Sequence, residues 1–129
     1  MATISFGKGK LAEWEGDQVA ESVRVIVSRI AVKFGGVYVT SLIRSRYNNA
    51  GVKGKSKSRH IPENNESGLC SACDFVLQVE SSPVLVAKVV GYVNQTFAQV
   101  YIEFHDVGSG YHFHLQVMPS KALPVEIKG

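Results

Sequence analysis

Between residues 19 and 43 the apolar side chains change from the spacing of a helix to that of a strand, and this switch limits the available folds more than any other feature. Val19, Val23, Ile26, Ile30 and Phe34 recur at intervals of four and three, which places them on one stripe of a helix that must be covered. Asp17 suits the N-cap, Trp14 packs just before or within the first turn, and Gly35-Gly36 ends the helix. The next run, Val37-Tyr38-Val39-Thr40-Ser41-Leu42-Ile43, is β-branched and aromatic and reads as a strand.

The remaining pattern extends this layering. Residues 1–9 form a short irregular or strand-like lead-in. Cys70 to Val79 reads as a second strand. Ser82-Pro83 is a cap-plus-proline start for a helix over Val84 to Asn94, although its valines keep a strand open as an alternative. Ala98 to His105 and Tyr111 to Met118 pair as a hairpin around a tight turn at Asp106 to Gly110. Together these segments predict an α+β fold with helices packed on a small antiparallel sheet. With 129 residues, 45% of them hydrophobic, the chain is expected to form a single domain, residues 1–129.

Composition narrows the function. The formal net charge is +3, and much of the excess lies between Lys53 and Arg59 inside a long polar segment, Asn48 to Gly68. A solvated loop is the simpler account of that cluster, an anion site the other; a nucleic-acid footprint is not expected. No apolar run is long enough to span a bilayer, and the N-terminus lacks a basic-then-apolar leader, so membrane insertion is not expected and synthesis in the cytoplasm is. Cys70 and Cys73 are too few for a disulfide framework. No second C-x-x-C completes a structural zinc site, and a redox pair would need a helix start that this segment does not offer. Two small, partly buried thiols remain as the reading.

His112 and His114 sit two apart in a strand and therefore project from one face. Such a pair suits a metal site or a hydrogen-bonded histidine pair. Upstream stand Thr40-Ser41-x-x-Arg44-Ser45 and Ser58-x-His60, followed by Ala72-x-Asp74. In this order the pieces resemble the zinc D-Ala-D-Ala carboxypeptidase and L-alanyl-D-glutamate peptidase superfamily, whose fold is shared by the hedgehog signalling domain. The match covers roughly residues 20–118.

The resemblance implies Zn2+ held by His60, Asp74 and His114, leaving one tetrahedral position for a water that acts as nucleophile. His112 would shuttle a proton or steady the oxyanion, Arg44 would stabilise the tetrahedral intermediate, and Ser58 would orient the loop around His60. The implied substrate is a peptidoglycan stem or cross-bridge peptide, and the implied setting a phage-encoded enzyme acting on the bacterial cell wall after lysis or as a virion component. The chain departs from the family pattern in its Thr40-Ser41-Leu42-Ile43-Arg44 run, where the family has Thr-Ser-Gly-Tyr-Arg, in the place of the motif glycine, which could be Gly68, and at two further points. Thirteen residues separate His60 from Asp74, a longer interval than the family's, and Tyr111 stands where a catalytic carboxylate is usual. Glu103, His105 and Asp106 lie across the hairpin as substitutes, and which of them faces the metal depends on register; His105 is the expected second proton handler. The rival expectations are a metal-binding virion or interaction protein without turnover and, from Cys70 and Cys73, a thiol-disulfide protein.

Overall fold

A computed structural model describes residues 3–44, 58–65, 68–106, 108 and 110–117. Within them the chain runs β1 (Ile4–Phe6), α1 (Lys10–Glu15), α2 (Glu21–Phe34), β2 (Val37–Ser41), a single 3-10 turn (Pro62–Asn64), β3 (Ala72–Leu77), α3 (Pro83–Thr96), β4 (Val100–Asp106) and β5 (Tyr111–Val117). The strands form one sheet in the order β1-β2-β3-β5-β4. The architecture is α+β. The sheet is mixed: β2, β3, β5 and β4 pair antiparallel as expected, but β1 joins β2 in parallel. The lead-in reaches that edge because a whole helical crossover, residues 10–34, separates it from β2, and such a connection suits parallel pairing.

Helix α2 begins at Glu21, with Ala20 at the N-cap and no side-chain cap, so Asp17 does not start it. The cause is tertiary. Cys70 N–H donates to Gln18 O at 2.8 Å and Ala20 N–H donates to Cys70 O at 2.9 Å, so Val19 sits in a parallel bridge with Cys70 rather than in a first helical turn. Trp14 belongs to the short helix α1 and packs on Phe6 with ring centroids 5.5 Å apart. At the other end of α2 the Gly35-Gly36 stop holds. Both residues have positive φ, and a Cβ on Gly36 would come within 3.0 Å of the Thr3 carbonyl. Helix α3 starts as the sequence predicts, with Ser82 Oγ accepting from Leu85 N–H at 3.2 Å and Pro83 in the first turn.

The two long helices cover one face of the sheet. Val23, Ile26, Val27 and Ile30 of α2 and Val89 and Val93 of α3 are fully buried, in one core with Val37, Val39, Phe75, Phe113 and Leu115. Phe75 and Phe113 stack across β3 and β5 at 5.2 Å, and Phe104 adds a tilted contact with Phe113 at 4.7 Å. Because strand side chains alternate, Asp74, His112, His114 and Gln116 project from the opposite face.

Residues 58–65 and 68–70 lie against part of that second face, where His60 and Asp74 meet. Asn65 organises this covering segment, its Nδ2 donating to the carbonyls of Arg59 and Leu69 at 2.9 and 2.7 Å. Arg59 turns inward to the carbonyl of Asn64 and Oδ1 of Asn65. Arg44 N–H donates to His60 O at 3.0 Å, pinning the segment to the end of β2. Lys53, Lys55 and Lys57 lie outside the described residues.

Candidate metal centre

Asp74 and His114 are Cα partners across β3 and β5, so the ladder itself brings a carboxylate and an imidazole together. His114 Nδ1 lies 2.8 Å from Asp74 Oδ1. His60 enters from the covering segment and places Nε2 3.2 Å from the same oxygen. One candidate ligand atom from each of His60, Asp74 and His114 lies within 4.8 Å of the other two, the one such group among the described residues. The Ser58 hydroxyl accepts from His60 N–H at 3.2 Å and shapes the turn that presents the ring.

The protons on His60 test whether these residues suit a cation. Its Nδ1 is 2.6 Å from the carbonyl of Leu42, a group that can only accept, so Nδ1 carries the proton. Cys70 Sγ, which also donates to this carbonyl at 3.3 Å, helps hold it in place. A neutral His60 ring then has only a lone pair at Nε2, and that lone pair faces the Asp74 carboxylate. Burial lowers the pKa of His60 and favours this neutral form, against the opposing pull of Asp74. A lone pair and a carboxylate oxygen 3.2 Å apart repel unless a proton or a metal cation lies between them. An outer N–H given to a carbonyl with the inner nitrogen left to ligate is the usual support of a metal-binding histidine. The cluster therefore fits a metal ion.

The other oxygen of Asp74 is held separately. Arg44 Nη2 lies 3.2 Å from Oδ2 and also donates to Ser41 Oγ at 3.1 Å. A register shift between Val39 and Ser41 makes Ser41, rather than Thr40, the partner of Asp74. His112 Nε2 is 3.7 Å from Oδ2, and its Nδ1 is 3.3 Å from the Gly110 carbonyl. Burial would raise the pKa of Asp74, but hydrogen bonds and charge from His114 and His60 outweigh it and hold the carboxyl well below the usual range. For His114, burial pulls the pKa down and the Asp74 carboxylate more than reverses it, so it is raised.

Register settles what lies across the hairpin. His105 opposes His112 and Glu103 opposes His114, so both occupy the face that carries the His60–Asp74–His114 cluster, whereas Asp106 opposes Tyr111. His105 Nδ1 is 2.8 Å from Glu103 Oε1, and its ring meets that of His112 edge-on at 4.8 Å. Asp106 instead caps the turn, accepting from Gly108 and Gly110 N–H at 2.7 and 3.1 Å. Tyr111 points to the opposite face, 65% exposed and stacked on Phe104. All seven residues singled out from the sequence (Arg44, Ser58, His60, Asp74, His105, His112 and His114) thus gather on one face of the sheet or its rim. Sequence reasoning assigned no role to Ser41, the Leu42 carbonyl or Gln116, although Ser41 stands in the Thr40-Ser41-x-x-Arg44-Ser45 motif and Gln116 continues the His112-x-His114 alternation. Cys70 and Cys73 are free and buried; burial pushes the Cys70 thiol up to about 12 and that of Cys73 well above its ordinary value, a poor setting for thiolate chemistry.

Among the described residues no helix is long and apolar enough to cross a membrane. No family model, curated protein or solved structure matches the chain.

Proposed function

We propose that this chain is a zinc-dependent peptidase that hydrolyses peptide bonds in peptidoglycan stem or cross-bridge peptides, on a hedgehog/DD-peptidase-like fold. The observation that carries the proposal is the His60 ring, with its outer proton committed to Leu42 and its inner lone pair turned toward Asp74 beside His114. Two imidazoles and one carboxylate form the donor set of an open, catalytic zinc rather than a closed structural one. The substrate class rests on the order of the sequence motifs, whose side chains meet at this centre.

When bound, zinc would lower the pKa of a water and polarise the scissile carbonyl. The protein's own residues supply the rest. Arg44, fixed by Ser41 and Asp74, keeps a positive fork at the rim where negative charge develops on the substrate oxygen. His112 lies beside the cluster and His105 beside His112, and side-chain exposure rises from 11% to 32% along that pair. They form a route by which a proton leaves the buried centre for the amine of the leaving group or for solvent.

A second reading, a metal-binding virion or interaction protein without turnover, is favoured by the position of Tyr111. It stands where the family places a carboxylate, and its ring lies on the wrong face of the sheet to serve the metal. Elemental analysis of protein purified without added metal, beside a His114→Ala variant, separates the readings when followed by digestion of purified cell walls. About one zinc per chain, lost in the variant, together with release of peptide fragments supports the peptidase. Zinc without any cleavage supports the second reading. Absence of zinc after supplementation sinks both.

A further inference from the structure

Among the described residues, no backbone carbonyl meets His114 as Leu42 O meets His60. The outer nitrogen of His114, Nε2, lies 2.8 Å from the side-chain Oε1 of Gln116, two residues along the same strand face. An amide can present either an acceptor or a donor, and the two orientations have opposite consequences. With Oε1 facing the ring, His114 keeps a proton on Nε2, and Nδ1 is the nitrogen that can give up its proton to a competing metal and turn a lone pair to the centre. With the amide nitrogen facing the ring, Nε2 must accept, Nδ1 carries the proton, and His114 becomes a hydrogen-bond donor to Asp74 Oδ1, satisfied at 2.8 Å without any metal.

We propose that Gln116 is a positioning residue that makes His114 a metal ligand: its Oε1 accepts the Nε2 proton and so fixes Nδ1 as the ligating atom. The two histidines then bind through different nitrogens, His60 through Nε2 and His114 through Nδ1, because their outer protons go to acceptors on different sides, Leu42 O and Gln116 Oε1. This asymmetry follows from the elements that carry them. The loop holding His60 lays the ring against the end of β2, whereas His114 stands on a strand whose same-face neighbour is two residues away. The inference rests on the metal reading of the site but not on hydrolysis.

The test uses the full chain with zinc and cobalt as probes. Gln116→Leu removes the acceptor at similar size, and Gln116→Glu keeps an acceptor and removes every donor. Zinc affinity is measured by competition with a chromophoric chelator, and the visible spectrum of the cobalt form reports the ligand set. Gln116→Leu is expected to weaken zinc by roughly 10- to 100-fold and to alter the cobalt spectrum. Gln116→Glu is expected to bind at least as tightly as wild type with an unchanged spectrum, a rescue that a merely structural role for Gln116 does not predict. The proposal is overturned if Gln116→Leu binds like wild type, or if Gln116→Glu is weakened as much as Gln116→Leu, the mark of an amide that donates to His114. A wild type that takes up neither metal overturns this inference together with the metal reading. A wild type that binds zinc and cleaves nothing overturns the peptidase alone.

Discussion

Asp74 Oδ1 lies within 3.2 Å of both imidazoles of the cluster while Oδ2 accepts from Arg44, so one carboxylate joins β2, β3, β5 and the covering segment. Replacing it with alanine removes the carboxylate that Arg44, His60 and His114 share. Asp74→Ala is expected to abolish zinc binding and to destabilise the metal-free protein by about 3 kcal/mol, the scale for removing one partner of a buried pair. Chelator competition and urea unfolding check the two halves separately.

Zinc affinity should rise with pH through the neutral range. In the metal-free protein the pKa of His114 is raised above 6.5, and a metal must displace that proton. The metal-free fold behaves oppositely. A raised folded-state pKa contributes stability that is complete below 6.5 and is lost as pH rises through the folded value. Asp74, depressed, contributes stability present above the ordinary 3.8 and lost as pH falls through its folded value. Thermal unfolding with and without zinc should therefore give a Tm gap that widens from mildly acidic to alkaline pH. A constant or shrinking gap would contradict the assignment of His114 as a ligand.

The Glu103–His105 pair gives a kinetic prediction. Glu103→Gln and His105→Ala leave the three ligands untouched, so zinc content stays at the wild-type level. If His105 handles a proton, cleavage of wall peptides drops by roughly 100-fold in His105→Ala, the ordinary scale of general acid–base catalysis. Undiminished turnover in that variant would leave His112 to act alone.

Phe113 lies between His112 and His114 in sequence but faces the helices, fully buried on Phe75 and Phe104. Phe113→Ala is expected to cost about 3–5 kcal/mol of stability. Zinc stoichiometry, measured where the variant remains folded, should not change, because Phe113 and the candidate ligand His114 lie on opposite faces of β5.

Both thiols should resist alkylation in the folded protein. Cys70 is pushed up to about 12 and donates to the Leu42 and Ala72 carbonyls, and Cys73 is buried among apolar residues. Mass spectrometry after iodoacetamide treatment should show unmodified native protein and two labels once it is unfolded. Fast labelling of the native state would revive a thiol-based function.

Local regularities make much of this arrangement legible in the amino-acid sequence. The alternation of β5 places His112 and His114 on one face, and the Gly35-Gly36 stop and the Ser82-Pro83 start mark helix ends where the chain folds them. The start of α2 is not legible in the same way. Asp17 has the right chemistry for a cap, but a bridge from Cys70, more than fifty residues away, takes the neighbouring backbone groups. Nor is the carboxylate across the hairpin. Glu103 and His105 share one face of β4 and Asp106 lies on the other, but which face meets His112 and His114 is open until register is known, because a shift of one residue exchanges the two.

By itself, then, the sequence determined the helical stripe of α2 and its Gly35-Gly36 stop, the shared face of His112 and His114 and the donor types at Arg44, His60, Asp74 and His114, because period, caps and side-chain chemistry are local properties. Only the tertiary structure decided that β1 runs parallel, that Ser41 rather than Thr40 faces Asp74, that Asp106 closes a turn, and which nitrogen of His60 is left to ligate. Those outcomes depend on register and on which backbone carbonyl lies opposite a given proton, and both are set by chain segments far apart in sequence.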